Sequence, residues 1–544
     1  MGAGVVLLVA FVAWFGLNRF RLFQKHQREI SFLAGVRMFI FFQIPVVGDA
    51  LPPIEGLTVP NPESLQHDDF NTYVKYGWDC FSIVGFLFGQ CILYCANTSA
   101  IKDLSSVRSK FGKHTAVYDS LRLLGDNVVT TDGAEWRVHR RVTSPAFSEA
   151  NNELVFSSAV KIVRAWSDEL VANSDAQGVA LDKDLLENTV KIALMVFSAA
   201  AFGYNLPWDD EEALKPAPGH KLSFRSALSG SVDYLLPRIV APKWAYKLPI
   251  PWLHGKLAKT ELIYTELEDY LVKFLETKDS NQSKDLLSLL VASAAEEHEG
   301  PKLTRRELIG NLYVFLIAGH ETSAHTLCFA FALLALYPDK QQLLFEEARK
   351  IWPTLDSEPQ YSDIAKLAYT QAAMHETLRM YPPVAYIPKI AHQDTELTAY
   401  KVTPGDHQEE REARTFRVPK GTWINIDAVA ILNDPKHWGG RFGNSTRNFQ
   451  PERFIDTDDY RWNRDAFVAF SAGQRSCLGM KFAQVEIIVA LAWMVRRFEI
   501  SLPDEMKKAG ETHAQLRDRV LAFHSRLTTT PTTHIRLAFS QRAQ

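Results

Sequence analysis

Apolar positions recur at helical spacing from Glu149 to Ala201 and again from Glu261 to Ala295, with charged residues between them, which predicts a middle third built mostly of helix. The proline-rich, acidic stretch Pro207 to Pro218 interrupts it. From Leu308 through Leu336 the apolar character is nearly continuous, so Thr304 opens a helix of about thirty residues that must be buried on all sides. Trp78 to Cys95, dense in apolar and aromatic residues around Gly85 and Gly89, predicts two short strands and a turn. Val418–Pro419–Lys420–Gly421–Thr422 followed by Trp423, Ile424, Ile426 and Val429 predicts a turn and a further strand. Thr395 to Val418, with the charged run His407 to Arg414, predicts an exposed inserted loop. The pattern as a whole is that of a mainly α fold with a smaller β region, without repeats or a dividing linker.

At the N-terminus Gly4 to Leu17 is uncharged and apolar, and Arg19, Arg21, Lys25 and Arg28 follow it. Charge after the run rather than before it, with no small-x-small site at its end, favours an anchor over a cleaved signal peptide and leaves the following chain on the cytosolic side. Phe32 to Val47 is a second apolar stretch, broken by Arg37 and closed by prolines. A charge there fits an interfacial or buried segment better than a second span. Residues 1–28 therefore form an anchor with a basic flank, 29–53 an apolar and hinge segment, and 54–544 one catalytic domain.

The 544 residues are 47% hydrophobic and 23% charged, a composition that supports a large packed core. A net charge of -3 offers no basic field, which excludes nucleic acid as the main partner. Five cysteines, an odd number with no Cys-x-x-Cys spacing, argue against a disulfide framework or a zinc site. Cys80, Cys91, Cys95 and Cys328 sit in apolar company and read as small buried hydrophobes.

Cys477 differs, because Phe470–Ser471–Ala472–Gly473–Gln474–Arg475–Ser476–Cys477–Leu478–Gly479 immediately precedes the apolar helical stretch Met480 to Phe498. A thiol at a helix start is favoured as the thiolate, the form that binds a metal. Gly473 permits a tight turn, Gly479 removes bulk beside the backbone, and Arg475 can offer a fork to a carboxylate. Taken alone, the run could equally be a loop around a structural thiol. The ten residues, however, resemble the Phe-x-x-Gly-x-Arg-x-Cys-x-Gly signature of the cytochromes P450. That resemblance implies the P450 fold, haem b, and Cys477 as its axial ligand, whose electron-rich sulfur favours O–O cleavage.

Further runs match the family in its own order. Ala318–Gly319–His320–Glu321–Thr322–Ser323 places polar groups and a glycine inside the long apolar helix, at a cost in helix stability and desolvation. Thr322 could merely bond back to its own preceding turn. The resemblance instead makes Glu321 and Thr322 the residues that guide protons during oxygen activation. Glu376 and Arg379, three apart on one helix face, would alone be an ordinary surface pair. With Pro451–Glu452–Arg453–Phe454 they resemble the family's structural triad, Arg453 completing it. Trp136 and Arg140 share a helix face and resemble the Trp-x-x-x-Arg propionate donors, although Arg137, Arg140 and Arg141 also suit a solvated basic patch. Lys389 stands where relatives often have an Arg, and supplies a point charge instead of a fork.

The resemblance covers the chain from about Pro52 onward, and Leu123 to Thr131 is similar to fungal microsomal members. Lys389, the hinge and the charged loop near Glu409 depart from the pattern. The resemblance implies a monooxygenase that inserts one atom of O2 into a lipophilic small molecule, held on the endoplasmic reticulum membrane by its single N-terminal anchor. NADPH-cytochrome P450 reductase, a separate protein, would supply electrons, because no P-loop and no Gly-x-Gly-x-x-Gly follows a strand here. Tyr118, Phe315, Ala318, Val384, Ala385, Tyr386 and Ile387 would line the substrate cavity. Two other classes compete: a haem-thiolate isomerase or dehydratase that uses no O2, and an electron-carrying haem module without catalysis.

Overall fold

The computed structural model describes residues 2–29, 33, 35–38, 69–87, 91–106, 110–208, 214–241, 244, 251–277, 284–295, 301–403, 412–443, 445–525 and 527–542. The chain divides into two compact units: Met1–His114 with Leu378–Cys477 and His524–Thr530, and Thr115–Thr377 with Leu478–Phe523 and Pro531–Gln544.

The first unit holds most of the strand. Its six-stranded sheet runs Gly35–Met38, Cys80–Gly85, Cys91–Cys95, Trp423–Asp427, Tyr386–Ala391 and Phe111–Lys113 in spatial order. Ile83, Ile92, Leu93, Tyr94, Ile424 and Ile426 bury its apolar side chains, so these central strands carry the unit's core. The predicted pair of strands before Cys95 is present, and so is the strand at Trp423. Within the segment 29–53, Gly35–Met38 is a strand paired parallel to Cys80–Gly85; the rest, bar Glu29 and Leu33, lies outside the described residues. Thr395–Val418 is not a loop as expected but a hairpin of Thr395–Tyr400 against Ala413–Val418, because Leu397, Ala399, Phe416 and Val418 alternate inward along it. The charged tip around Glu409 lies outside the described residues. Helix α1 (Gly2–Glu29) continues through the apolar run into its basic flank, with Val6, Leu7, Val9, Phe11, Val12, Trp14, Leu17 and Phe20 exposed.

The second unit is helical. Helices α2 (Gly133–Thr143), α3 (Glu149–Ala172), α4 (Leu185–Phe202), α5 (Arg305–Leu336), α6 (Ala368–Met380, which continues past the unit boundary) and α7 (Met480–Arg497) frame it. The run Glu149–Ala201 is not one helix, since the turn at Asp175–Gly178 leads into the strand Val179–Asp182, whose partner Leu537–Gln541 is remote in sequence. Among the described residues only α4 is long and apolar enough to cross a membrane, and 78% of it is buried, as befits a core helix. Helix α5 begins where its capping box dictates: Thr304 accepts from the Glu307 amide, and the Glu307 carboxylate accepts from the Thr304 amide at 2.7 Å. Near that end two glycines meet backbone to backbone. A Cβ on Gly310 would lie 2.6 Å from the carbonyl oxygens of Gly125 and Asp126, and one on Gly125, itself at φ +142°, would lie 2.3 Å from that of Arg306.

Candidate functional site

In the first unit Phe470 to Cys477 forms a closed loop. The Cys477 amide donates to the Phe470 carbonyl at 2.9 Å, and inside that closure Ser471 and Ser476 bond to Val468 and Gly473. Two left-handed residues make the turn, Ser471 at φ +65° and Gly473 at φ +64°. Only glycine fits at 473, since a Cβ there would sit 2.3 Å from the Ser105 carbonyl oxygen. Gly479 is different, for no protein atom comes nearer to its Cβ position than Phe147 at 3.7 Å, so nothing within the protein demands a glycine. A loop that closes on itself and leaves its thiol exposed presents a sulfur to a ligand outside the protein. Cys477 is the one exposed cysteine; Cys80, Cys95 and Cys328 are buried and Cys91 half-buried. These residues fit a thiolate-ligated haem.

The same unit holds two arginines with no exposure at all. Arg379 donates to the carbonyls of Leu432 and Thr446 and to Asn433, and Arg453 donates through Nε, Nη1 and Nη2 to the carbonyls of Trp438, Asn448 and Ser445. Glu376, one turn before Arg379 on α6, is equally buried. The surface-pair reading is thereby overturned, and the arginines fasten the segment 432–448 by its backbone. Lys389 is 5% exposed on the strand Tyr386–Ala391, opposite Ile424 and Lys113. Tyr386 turns its ring edge-to-face on Tyr94, with centroids 5.5 Å apart, while Ala385 is buried, Ile387 half-buried and Val384 exposed.

In the second unit α5 is buried along almost its whole length from Ile309, with a break at Ala318, Gly319 and Thr322, which share one face. Gly319 is required by packing: a Cβ would meet the Phe197 ring at 2.3 Å. The Thr322 hydroxyl donates to the Ala318 carbonyl at 2.7 Å, the local bond that its position in a helix allows. Glu321 and Ser323 flank it in the core. Phe315, two turns before Thr322, meets Phe147 edge-to-face at 5.2 Å. On α2, Trp136 is buried and Arg140 half-buried on the same face, and Tyr118 is half-buried in the turn before that helix.

Two features were not foreseen. Glu486, in the middle of apolar α7, is wholly buried beside Ser323, and burial pushes its carboxyl up to about 8, with the Ser323 hydroxyl pulling the other way. A lone acid in an apolar helix was the available signal. The second is a cluster of His139, Asn311 and Glu307 joining α2 to the first turns of α5.

Residues 86–521 match the family model for cytochrome P450. The chain is similar to cytochrome P450 monooxygenase 124 of Postia placenta, 34% identical over 97% of both chains. It is 28% identical to cytochrome P450 monooxygenase prx9 of Penicillium rubens over 83% of this chain and 80% of that one. A cytochrome P450 monooxygenase of the phomenoic acid biosynthesis cluster of Leptosphaeria maculans is also 28% identical, over 72% of this chain and 70% of its own.

Proposed function

The chain belongs to the cytochrome P450 family and is a monooxygenase that uses thiolate-ligated haem, and from that premise we propose that Cys477 is the iron ligand and that the substrate is a lipophilic small molecule oxidised with electrons from NADPH through a separate reductase. The observation that carries the assignment is the loop closed by the Cys477 amide on Phe470, tightened by the left-handed Gly473, in which Cys477 is the exposed cysteine. The haem supplies activation of O2 at a metal carrying an electron-donating sulfur. Everything else is the work of side chains. Trp136, Arg140, Arg475 and Lys389 donate to propionates, Phe470 and Gly473 shape the loop, and Glu376, Arg379 and Arg453 hold its scaffold. Thr322 Oγ1 and the Glu321 carboxyl would hold protons and hand them on during oxygen activation. Tyr118, Phe315, Ala318, Val384, Ala385, Tyr386 and Ile387 give the substrate an apolar surround.

The reduced, carbon monoxide-bound protein should show the strongly red-shifted Soret band of a thiolate ligand. Cys477→Ala should lose it and Cys328→Ala keep it; the reverse result would refute the assignment. Turnover that needs neither NADPH nor O2 would favour an isomerase, and haem reduction without any turnover an electron carrier. Thr322→Ala should lower the ratio of product to NADPH oxidised and release hydrogen peroxide, since a proton route is lost while electron supply continues.

The exposed apolar side of α1 and its basic end support anchoring in the endoplasmic reticulum membrane with the catalytic domain in the cytosol. Deleting residues 1–28 should move part of the protein into the soluble fraction with haem retained. The relative from a biosynthetic cluster supports a role in secondary metabolism. A screen of terpenoids, fatty acids and polyaromatics for the spectral shift of displaced iron-bound water would identify the substrate class.

A further inference from the structure

His139 lies on α2, directly before Arg140, and its side chain has no solvent exposure. Its Nδ1 is 2.9 Å from Asn311 Nδ2 on α5. The orientation of that amide is fixed twice over: Asn311 Oδ1 accepts from the Val128 amide at 2.9 Å, and Asn311 Nδ2 donates to the Glu307 carbonyl at 2.7 Å. An NH2 group therefore faces Nδ1, and Nδ1 must accept. The ring proton then resides on Nε2, which lies 3.6 Å from Glu307 Oε1, beyond hydrogen-bonding distance, and makes no hydrogen bond among the described residues. Glu307 Oε2 is the atom that closes the capping box of α5. Burial holds the imidazole neutral by lowering its pKa, against the opposing pull of Glu307, Glu135 and Asp126. The helix Leu286–Ala295 and the turn Ser144–Ala146, which also pack on α2, bring no ionisable group to it.

We propose that His139 is a positioning residue whose Nε2–H tautomer, selected by Asn311, clamps α2 to α5 through the hydrogen bond that Nδ1 accepts from the Asn311 amide. This rests on the reading above in one respect, that Trp136 and Arg140 on α2 are the propionate donors the clamp aligns. Glu135, His139 and Glu307 also bring one ligand atom each within 4.8 Å of one another, the spacing of a metal site. A metal on Nε2 would drive the ring proton onto Nδ1 and against the Asn311 NH2, so the donor pattern selects the clamp.

The clamp is weakened from the acid side. The unfolded imidazole takes up a proton near pH 6.5 and the folded one only at lower pH, so its stabilisation is complete above 6.5 and is lost as pH falls below it. The experiment measures thermal midpoint and haem retention of the full chain from pH 5 to 8, for wild type, His139→Leu and Asn311→Asp. Wild type should lose both as pH falls below about 6.5, in part through His320 and His375, whose burial also lowers their pKa, and His139→Leu should show a smaller step. Asn311→Asp places a carboxylate against Nδ1, forces the other tautomer and favours imidazolium, so the part of the acid step that His139 contributes should vanish or reverse. An unchanged step in Asn311→Asp would overturn the clamp, because a merely space-filling histidine is blind to that exchange. Micromolar zinc raising the midpoint of wild type but not of His139→Leu would replace the clamp by a metal site. Arg140→Leu separates the two readings: if it keeps haem while the pH step persists, the clamp stands and the propionate assignment falls.

Discussion

Two buried arginines of the first unit and one buried glutamate of the second are treated in opposite ways. Arg379 and Arg453 in the first unit spend their guanidinium donors on backbone carbonyls and the Asn433 side chain. Among the described residues Glu486 in the second, just as deeply buried, has neither carboxyl oxygen in a well-formed hydrogen bond, and the Ser323 hydroxyl beside it has none either. A permanent cation cannot shed its charge, so the fold must wrap it completely. A carboxyl can keep its proton, and burial makes it do so. The first arrangement is scaffold; the second leaves a proton store against the helix that carries Glu321 and Thr322.

Four substitutions test that contrast, beginning with the most damaging. Arg453→Leu leaves the carbonyls of Trp438, Ser445 and Asn448 without this donor and should cost on the order of 3–5 kcal/mol, measured as loss of soluble, cooperatively unfolding protein; tolerance of leucine would mean that these arginines are not scaffold. Gly473→Ala forces a Cβ into the Ser105 carbonyl at a left-handed residue and should cost about 1–3 kcal/mol, with the thiolate band broadened or lost. Glu486→Gln should act through pH. The folded carboxyl keeps its proton up to about 8, while the unfolded one loses it near 4.5, so stability falls as pH rises between those values. Glutamine should flatten that slope, raising the thermal midpoint more at pH 8 than at pH 5, and an unaltered slope would show that Glu486 is ionised in the fold. Thr322→Val, smallest of the four in stability, removes only the bond to Ala318 and should cost at most about 1 kcal/mol; a large loss of stability would move Thr322 from chemistry to scaffold.

Local signals were legible in the sequence. The ends of α5 follow from Thr304, Glu307 and the apolar run, and the thiol loop follows from its glycines and its place before α7. Long-range ones were not. Val179–Asp182 is a strand only because Leu537–Gln541 returns to pair with it, and no periodicity reports a partner that distant. The hairpin at Thr395–Val418 was hidden by the charge of its tip. His139 and Asn311 stand in ordinary helical positions, and only the fold brings one to the other. Burial of Glu376 and Arg379 was equally invisible, since an exposed pair has the same spacing.

The meeting of Gly125 with α5 at Gly310 bears on how this enzyme can be diversified. Because main chain touches main chain there, no compensating side chain can be trimmed to relieve an added methyl. A library that randomises Leu121 to Asn127 to broaden the range of compounds accepted would shift the start of α5 along with the loop, and most of its members would be lost for reasons unrelated to recognition. Holding positions 125 and 310 constant while varying Tyr118, Phe315 and Val384 confines the search to sequences that still fold.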